Sequence, residues 1–205
     1  MEIIQKLVKR KGPGHLFQSA HFYLAMKVIE EKGPIGRFEL GRILDLGGGS
    51  IRTLVDRMKY ANLIAVEGKK GHILTEEGKS VIKEIKKTVI TIRDLEPARE
   101  LTDQKFNIGC QARNISTKIG SGISMRDAAI SVGGKSITSL IYTGANFNIP
   151  TLDKKYLEME HPKLMNYLLS NYNFQKNDAL VICGADTAIR AKLGAITAVF
   201  SLLNS

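Results

Sequence analysis

The sequence predicts a mixed α+β chain with two domains, residues 1–87 and residues 88–205. Residues 16–60 contain three helical patterns separated by glycine-containing turns. Two short strand patterns, 65–67 and 71–74, follow around a loop of glycines and lysines. Most β-branched strand patterns appear after residue 88, interspersed with helices. We therefore expect a three-helix core with a β-hairpin, and then a domain with a smaller sheet of the α+β or α/β type.

Composition and charge narrow the class of protein. The chain has 205 residues, of which 43% are hydrophobic and 24% are charged, as is usual for a globular protein. The net charge of +10 favours a polyanionic partner. Residues 1–87 hold 17 Lys/Arg and 10 Asp/Glu, whereas residues 88–205 hold 13 and 10, so the excess lies in the first domain. No signal peptide is visible, and the apolar run 193–203 is too short to span a bilayer. We expect a cytoplasmic protein with no membrane partner.

The cysteines and histidines do not form a recognisable catalytic or metal-binding pattern. Cys110 and Cys183 lie far apart, each in an apolar strand-like run, which favours buried free thiols. The four histidines lack metal-ligand spacing, and His21 lies on the apolar side of the first helix. No Ser/His/Asp or Cys/His arrangement and no phosphate-binding lysine motif is present. We therefore expect no metal, no cofactor and no enzymatic activity.

The third helical pattern, residues 50–60, has one apolar side. Its stripe has helical spacing and consists of Ile51, Leu54, Val55 and Met58. Ser50 stands at the expected N-cap after three glycines. The remaining polar side chains are expected to point outward, where they could contact base edges in a DNA major groove. The candidate DNA-binding residues on this helix are Ser50, Arg52, Thr53, Arg57 and Tyr60. The alternative is the solvated face of a protein-interaction domain.

The loop between the two short strands carries Lys69 and Lys70 between two glycines. Lysines at a hairpin tip suit contacts to DNA phosphates, which position a protein without specifying sequence. The alternative is an edge hairpin kept soluble by its charges. Thr75 is expected to cap the next helix, which carries Glu76 and Glu77 in its first turn.

The order of helix, glycine turn, helix, basic hairpin and the run Leu74-Thr75-Glu76-Glu77-Gly78-Lys79 resembles the winged helix-turn-helix of prokaryotic transcription regulators. Over its length the chain resembles an archaeal family of such regulators with a C-terminal domain of unknown function. That second resemblance rests on residues 126–130 and on Gly133-Gly134. The resemblance to winged-helix regulators implies double-stranded DNA as the partner. A homodimer is expected because a single winged helix reads few base pairs.

In the second domain we predict strands at 88–92, 106–112, 136–142 and 179–183, with a further strand near 147–149. Helices are predicted at 124–132, 156–172 and 186–203. The last helix is apolar nearly all round, so it belongs either to the core or to a subunit interface. A basic amphipathic segment at residues 1–11 is expected to pack on the first domain or on a partner subunit.

Two glycine-rich junctions in the second domain lead into predicted helices, at 120–127 and 181–187. Backbone N–H groups at such junctions favour anions. The junctions predict a site for a small anionic effector. Its candidate residues are Ser121, Gly122, Ser124, Arg126, Asp127, Gly184 and Asp186. The alternative is a set of ordinary turn glycines, with Ser124 and Asp186 as helix N-caps.

Two hypotheses follow. The first is a homodimeric DNA-binding transcription regulator whose C-terminal domain senses a small molecule. The second is a small-molecule-binding or enzymatic C-terminal domain whose winged helix serves as a protein–protein interaction module. RNA binding is disfavoured because aromatic residues, which form stacking platforms, make up only 6% of the chain.

Overall fold

A computed structural model describes residues 17–150 and 152–203. The chain divides into two compact units, Met1–Lys86 and Lys87–Ser205, called the first and second unit below. The predicted segment 1–11 lies outside the described residues. The molecule is mixed α+β, with a helical N-terminal region and a C-terminal sheet of five antiparallel strands.

Over residues 17–86, the first unit has three helices, then a hairpin and a fourth helix. Its elements are α1 (Ser19–Lys32), α2 (Arg37–Ile43), α3 (Gly48–Tyr60), β1 (Ile64–Glu67), β2 (Gly71–Leu74) and α4 (Glu76–Lys86). Helix α1 is buried continuously from Ala20 to Met26, so it forms the centre of the unit. Helix α2 packs on α3, and α1 contacts both β2 and α4. The interior is filled mainly by aliphatic side chains from all four helices.

The hairpin is joined to the segment that precedes α2. Strands β1 and β2 pair antiparallel, with Ile64 opposite Leu74 and Glu67 opposite Gly71. Ile35 and His72 exchange two backbone hydrogen bonds of 3.1 and 2.8 Å. Gly71 has φ +125°, and a Cβ at this position would lie 2.4 Å from the Ile35 carbonyl carbon. Glycine is therefore required where β2 passes Ile35.

Helix α4 begins where the sequence predicts. The Gly78 amide donates to Thr75 Oγ1 at 3.1 Å, which confirms Thr75 as the N-cap side chain. A Cβ on Gly78 would lie 2.1 Å from the Leu63 carbonyl oxygen. This glycine lets the start of α4 pack against the chain that leaves α3.

The second unit contains a sheet of five strands, β3 (Val89–Asp94), β4 (Phe106–Ala112), β5 (Ser136–Tyr142), β6 (Phe147–Asn148) and β7 (Ala179–Ala185). Their order in the sheet is β3-β4-β7-β5-β6, and every neighbouring pair is antiparallel. The helices are α5 (Arg99–Thr102), α6 (Ile123–Ile130), α7 (Tyr156–Glu160), α8 (Pro162–Asn171) and α9 (Ala188–Leu203). Of the two predicted sheet types, α+β is correct and α/β is not.

Helices cover both faces of the sheet. Helix α9 packs on β4, β7 and α6, with Leu193 to Phe200 all buried. On the other face, Leu140, Leu180 and Ile182 join a cluster with residues from α7 and α8. Helix α9 is therefore a core helix of its own chain, and the alternative that its apolar surface forms a subunit interface is wrong.

The largest element-level correction concerns the predicted helix 156–172. It is split into α7 and α8 at His161, which has φ −132° and ψ 52°. Pro162 disfavours the helical conformation of the residue before it and supplies the first residue of α8. The short helical stretch 96–102 was not predicted. Within residues 17–150 and 152–203, none of the helices has the length and apolar character needed to cross a bilayer.

Candidate nucleic-acid interface

Helix α3 presents one buried and one exposed side. The predicted apolar stripe is confirmed, because all four of its members are buried, namely Ile51, Leu54, Val55 and Met58. Arg52, Asp56, Lys59 and Tyr60 are exposed. Since residues 52, 56 and 59 are spaced by four and three, they share one side of the helix. That side carries two cations and one carboxylate.

The ion pair between Arg52 and Asp56 on this side is weak. The Arg52 Nε lies 3.9 Å from Asp56 Oδ2, and both side chains are mostly exposed. A solvent-exposed ion pair of this kind has little energy to lose when another partner arrives. Thr53 Oγ1 donates to the Gly49 carbonyl at 3.0 Å. Arg52 is therefore held loosely enough to bind a new acceptor.

Two predicted contact residues of this helix lie elsewhere than expected. Arg57 is only 6% exposed, and its guanidinium carbon lies 5.5 Å from the ring centroid of Phe17. The prediction that Arg57 points outward is wrong. Ser50 is half-buried and precedes Arg57 by two helical turns. The prediction that Ser50 caps the helix is also wrong, because α3 begins at Gly48 with Gly47 as N-cap.

Lys59 was not among the predicted contact residues. It lies seven positions after Arg52, and the same spacing that identified the apolar stripe places it on the exposed side. The signal was therefore present in the sequence.

The start of α3 is sterically open. A Cβ built on Gly47, Gly48 or Gly49 would meet no atom within 4 Å. The first backbone N–H groups of a helix lack partners within the helix. Here no side chain of the helix start covers them, so an external acceptor has access to them.

The hairpin places its lysines at the tip. The Lys70 amide donates to the Glu67 carbonyl at 2.9 Å and closes the turn, in which Gly68 has φ +52°. Lys69 and Lys70 are both exposed. Strand β1 contacts α3 within the first unit. The exposed side of α3 and the basic tip thus belong to adjacent elements.

The predicted effector residues of the second unit do not form one site. Ser121, Gly122 and Arg126 line a cleft of about 430 Å³. Ser124 and Asp127 are exposed on α6 and are not among the described lining residues.

At the second glycine-rich junction, the glycine is needed for close packing and the aspartate forms an ion pair. A Cβ on Gly184 would lie 2.5 Å from Ser136 Oγ and 2.7 Å from Gln104, so this glycine serves close packing. Asp186 Oδ1 pairs with Lys135 Nζ at 2.6 Å. Gly184 and Asp186 are therefore removed from the candidate site.

The alternative roles of Ser124 and Asp186 as N-caps are also wrong. Gly122, in the left-handed region at φ +76°, is the N-cap of α6 and makes no side-chain cap bond. At the start of α9 the Arg190 amide donates to Thr187 Oγ1 at 3.3 Å, which gives Thr187 the capping role.

Both cysteines are buried free thiols, as predicted. Burial raises the pKa of each thiol to about 12, so the reactive thiolate is disfavoured. Over the described ranges no three His, Cys, Asp or Glu side chains converge in a way that could hold a metal ion.

Comparison with known proteins follows the same division of the chain. Residues 25–80 match the model described as "PH0730-like, N-terminal domain". Residues 104–202 match "Domain of unknown function (DUF4443)".

One solved structure has the same fold. It is titled "Hypothetical protein PH0730 from Pyrococcus horikoshii OT3", is 24% identical, and aligns with a TM-score of 0.68. The alignment covers 90% of this chain and 92% of that chain. No curated protein matches the chain. The resemblance to an archaeal protein is thus confirmed for the fold, and the function must be argued from the residues.

Proposed function

We propose that this chain is a cytoplasmic, homodimeric DNA-binding transcription regulator, and that its first unit is a winged helix-turn-helix. Helix α3 serves as the recognition helix and the β1–β2 hairpin as the wing. The observation that carries the proposal is the exposed side of α3, with Arg52 and Lys59, next to a hairpin whose tip holds two exposed lysines. No catalytic activity is part of the proposal.

Base reading is assigned to four side chains of α3. Arg52 has the planar pair of donors that matches guanine O6 and N7, and its contact with Asp56 is weak enough to be exchanged. Thr53, the next residue, and Tyr60, about two turns further along the helix, offer hydroxyl groups. Asp56 accepts only, so it favours a cytosine amino group over a guanine at its position.

Phosphate binding is assigned to Lys59, Lys69 and Lys70. Lysine ammonium groups neutralise phosphates without reading sequence. The open start of α3 supplies backbone N–H groups for a further phosphate, since helix N-termini favour anions. Arg57 has no place in this interface, because it is buried.

The homodimer and the sensing role of the second unit complete the proposal. Two recognition helices related by a two-fold axis would read half-sites about one helical turn apart, which makes the operator palindromic. An effector regulates such a protein only if it binds the DNA-competent and DNA-incompetent states with different affinities.

The test is selection of bound fragments from random duplex DNA, followed by anisotropy titration of the best fragment and of bulk DNA. We expect a palindromic winner that binds at least about 1,000-fold more tightly than bulk DNA. Arg52→Ala should narrow that ratio by about tenfold or more, since a good bidentate base contact is worth about 1–3 kcal/mol. Lys69→Ala with Lys70→Ala should weaken both DNAs by the same factor.

Lys79→Ala is the matched control. Lys79 is an exposed lysine of α4 in the same unit, and its Nζ pairs with Glu76 at 2.7 Å. The Lys79→Ala variant should bind both the selected DNA and bulk DNA with the affinity of the wild type. Absence of any enriched sequence, together with weak binding that Arg52→Ala leaves unchanged, would reject the proposal in favour of a protein-interaction module.

A further inference from the structure

The cleft beside the start of α6 is a candidate small-molecule site in its own right. Its volume of about 430 Å³ falls within the range of ligand pockets. The apolar lining comes from several elements and comprises Leu101, Ile119, Ile137, Ile149 and Pro150. This variety means that a bound molecule would contact α5, β5 and two loops at once.

The rim of the cleft is apolar and exposed. Ile123 is 63% exposed and Leu152 is 46% exposed, and both line the cleft. Exposed large aliphatic side chains that converge on one concave site are more informative than scattered ones. A ligand with an apolar body would cover them.

Arg126 gives the cleft its charge. It is the single charged side chain among the described lining residues, and no carboxylate lies with it. Among the residues that the structure describes, its guanidinium forms no hydrogen bond or ion pair. Hydroxyl groups of Ser121, Thr138 and Tyr156 line the same cleft.

The neighbouring cleft is of a different kind. It lies between the 96–100 stretch and the start of α8 and is lined by Glu96, Arg99, Glu100, Glu160 and Lys163. Charges of both signs alternate there, as on an ordinary solvated surface. Of these two clefts, the one with Arg126 combines an apolar lining with a single cation and no carboxylate among its described lining residues.

We propose that the Arg126 cleft binds a small organic anion with an apolar body. The guanidinium pairs with the anionic head group, the hydroxyls orient it, and the aliphatic residues cover the body. This inference rests on the function proposed above in one respect only, namely that the anion would act as the regulator's effector. Binding itself does not depend on DNA.

The test uses the full-length chain and anilinonaphthalene sulfonate, a fluorescent organic anion with two aromatic ring systems. We expect saturable binding of one molecule per chain with enhanced emission. Arg126→Gln should weaken binding by about tenfold or more, because the charge-assisted hydrogen bonds to the anionic head group are lost. N-Phenylnaphthylamine, a neutral probe with a similar apolar body, should bind wild type and Arg126→Gln equally.

Two further variants locate the site. Arg99→Gln removes the same charge from the neighbouring cleft of the same unit and should leave binding of the anionic probe unchanged. Ser121→Trp places a large ring at an exposed position of the cleft and should block both probes. Thermal melts of each variant establish that it is folded.

The inference is overturned if Arg126→Gln binds the anionic probe as well as the wild type does, or if Arg99→Gln loses as much. The experiment contains no DNA. Failure of the regulator proposal would therefore leave a positive probe result standing, and failure of probe binding would leave the DNA result standing.

Discussion

Arg57 is almost fully buried, although arginine usually lies on protein surfaces. Its guanidinium lies over the Phe17 ring, and its aliphatic stem is enclosed by the first unit. We predict that Arg57→Ala lowers the free energy of unfolding by about 1–3 kcal/mol through lost packing and cation–π contact. Arg52→Ala, on the exposed side of the same helix, should change it by less than about 0.5 kcal/mol.

Urea denaturation followed by circular dichroism measures both variants under identical conditions. Equal stabilities of the two would contradict the buried role of Arg57. The same data are needed to interpret DNA binding, because a loss of binding in Arg57→Ala would reflect unfolding and not a lost base contact.

His21 makes the stability of the first unit depend on pH. Burial lowers its pKa to about 4 from 6.5, and the Gln18 amide donates to its Nδ1 at 3.0 Å, which requires an unprotonated nitrogen. The folded state therefore binds fewer protons than the unfolded state between these values. The contribution of the neutral His21 to the free energy of unfolding is complete above about pH 6.5. It falls by about 3 kcal/mol as the pH drops towards 4.

The measurement is chemical denaturation from pH 7 to pH 4.5 for wild type, His21→Gln and His161→Gln. Glutamine at position 21 removes the titrating group, so the loss of stability between these pH values should shrink. His161→Gln changes a partly exposed histidine of the second unit. This variant should lose as much free energy of unfolding between pH 7 and pH 4.5 as the wild type does. If the free energy of unfolding of His21→Gln depends on pH as strongly as that of the wild type, other groups cause the acid sensitivity.

Gly78 is required by packing and not by backbone conformation. Its added Cβ would approach the Leu63 carbonyl oxygen to 2.1 Å, and a backbone atom cannot move aside cheaply. We predict that Gly78→Ala lowers stability by several kcal/mol, about 3 or more, despite the higher helix propensity of alanine. Gly36→Ala meets no atom within 4 Å and should have little effect. Thermal melts of the two variants compare them directly.

At the scale of the element, helix α3 is notable for beginning with two glycines. A Cβ on Gly49 would meet nothing, so alanine there should raise helix stability by about 1 kcal/mol. If that end of the helix approaches DNA as proposed, the same methyl group should weaken DNA binding. Stability and affinity would then change in opposite directions, which unfolding cannot produce.

Ser80→Ala is the matched control for Gly49→Ala. Ser80 is exposed on α4, where alanine should also raise stability by a few tenths of a kcal/mol. Its DNA affinity should equal that of the wild type. Unchanged affinity in Gly49→Ala would place the start of α3 away from DNA.

The elements themselves were predicted with uneven success, for identifiable reasons. Strands β4 and β5 have the predicted bounds. Strand β5 is rich in β-branched and aliphatic residues and has glycine-containing turns on both sides. The 156–172 helix was predicted as continuous although Pro162 signalled its break. Apolar periodicity persists across the break because α7 and α8 pack on the same cluster.

At the scale of the whole molecule, the proposed phosphate contacts predict how the proposed DNA binding responds to salt. If Lys69 and Lys70 of each subunit contact one phosphate apiece, the homodimer neutralises four phosphates with them, so removing them should reduce the magnitude of the slope of log affinity against log salt by about 3.6. Arg52→Ala should reduce affinity with little change in slope if it reads a base. Titrations at several salt concentrations on the selected DNA measure both. Equal slopes for the wild type and the double lysine variant would remove the hairpin from the interface.

The sequence by itself determined the first unit's helices and hairpin, the apolar stripe of α3, the lysine-bearing turn and the capping role of Thr75. These follow from periodicity and from local backbone preferences, which depend on residues close in sequence. Those same rules place Lys59 on the exposed side of α3.

Only the tertiary structure decided which polar residues stay on the surface and which junctions form a cleft. Arg57 is buried because Phe17, 40 positions earlier, packs on it, and periodicity within one helix contains no information about that neighbour. The strand order places β7 between β4 and β5, so Gly184 is packed against Ser136 and Gln104. Contacts between residues distant in sequence determine burial, and burial determines which side chains remain available to a ligand.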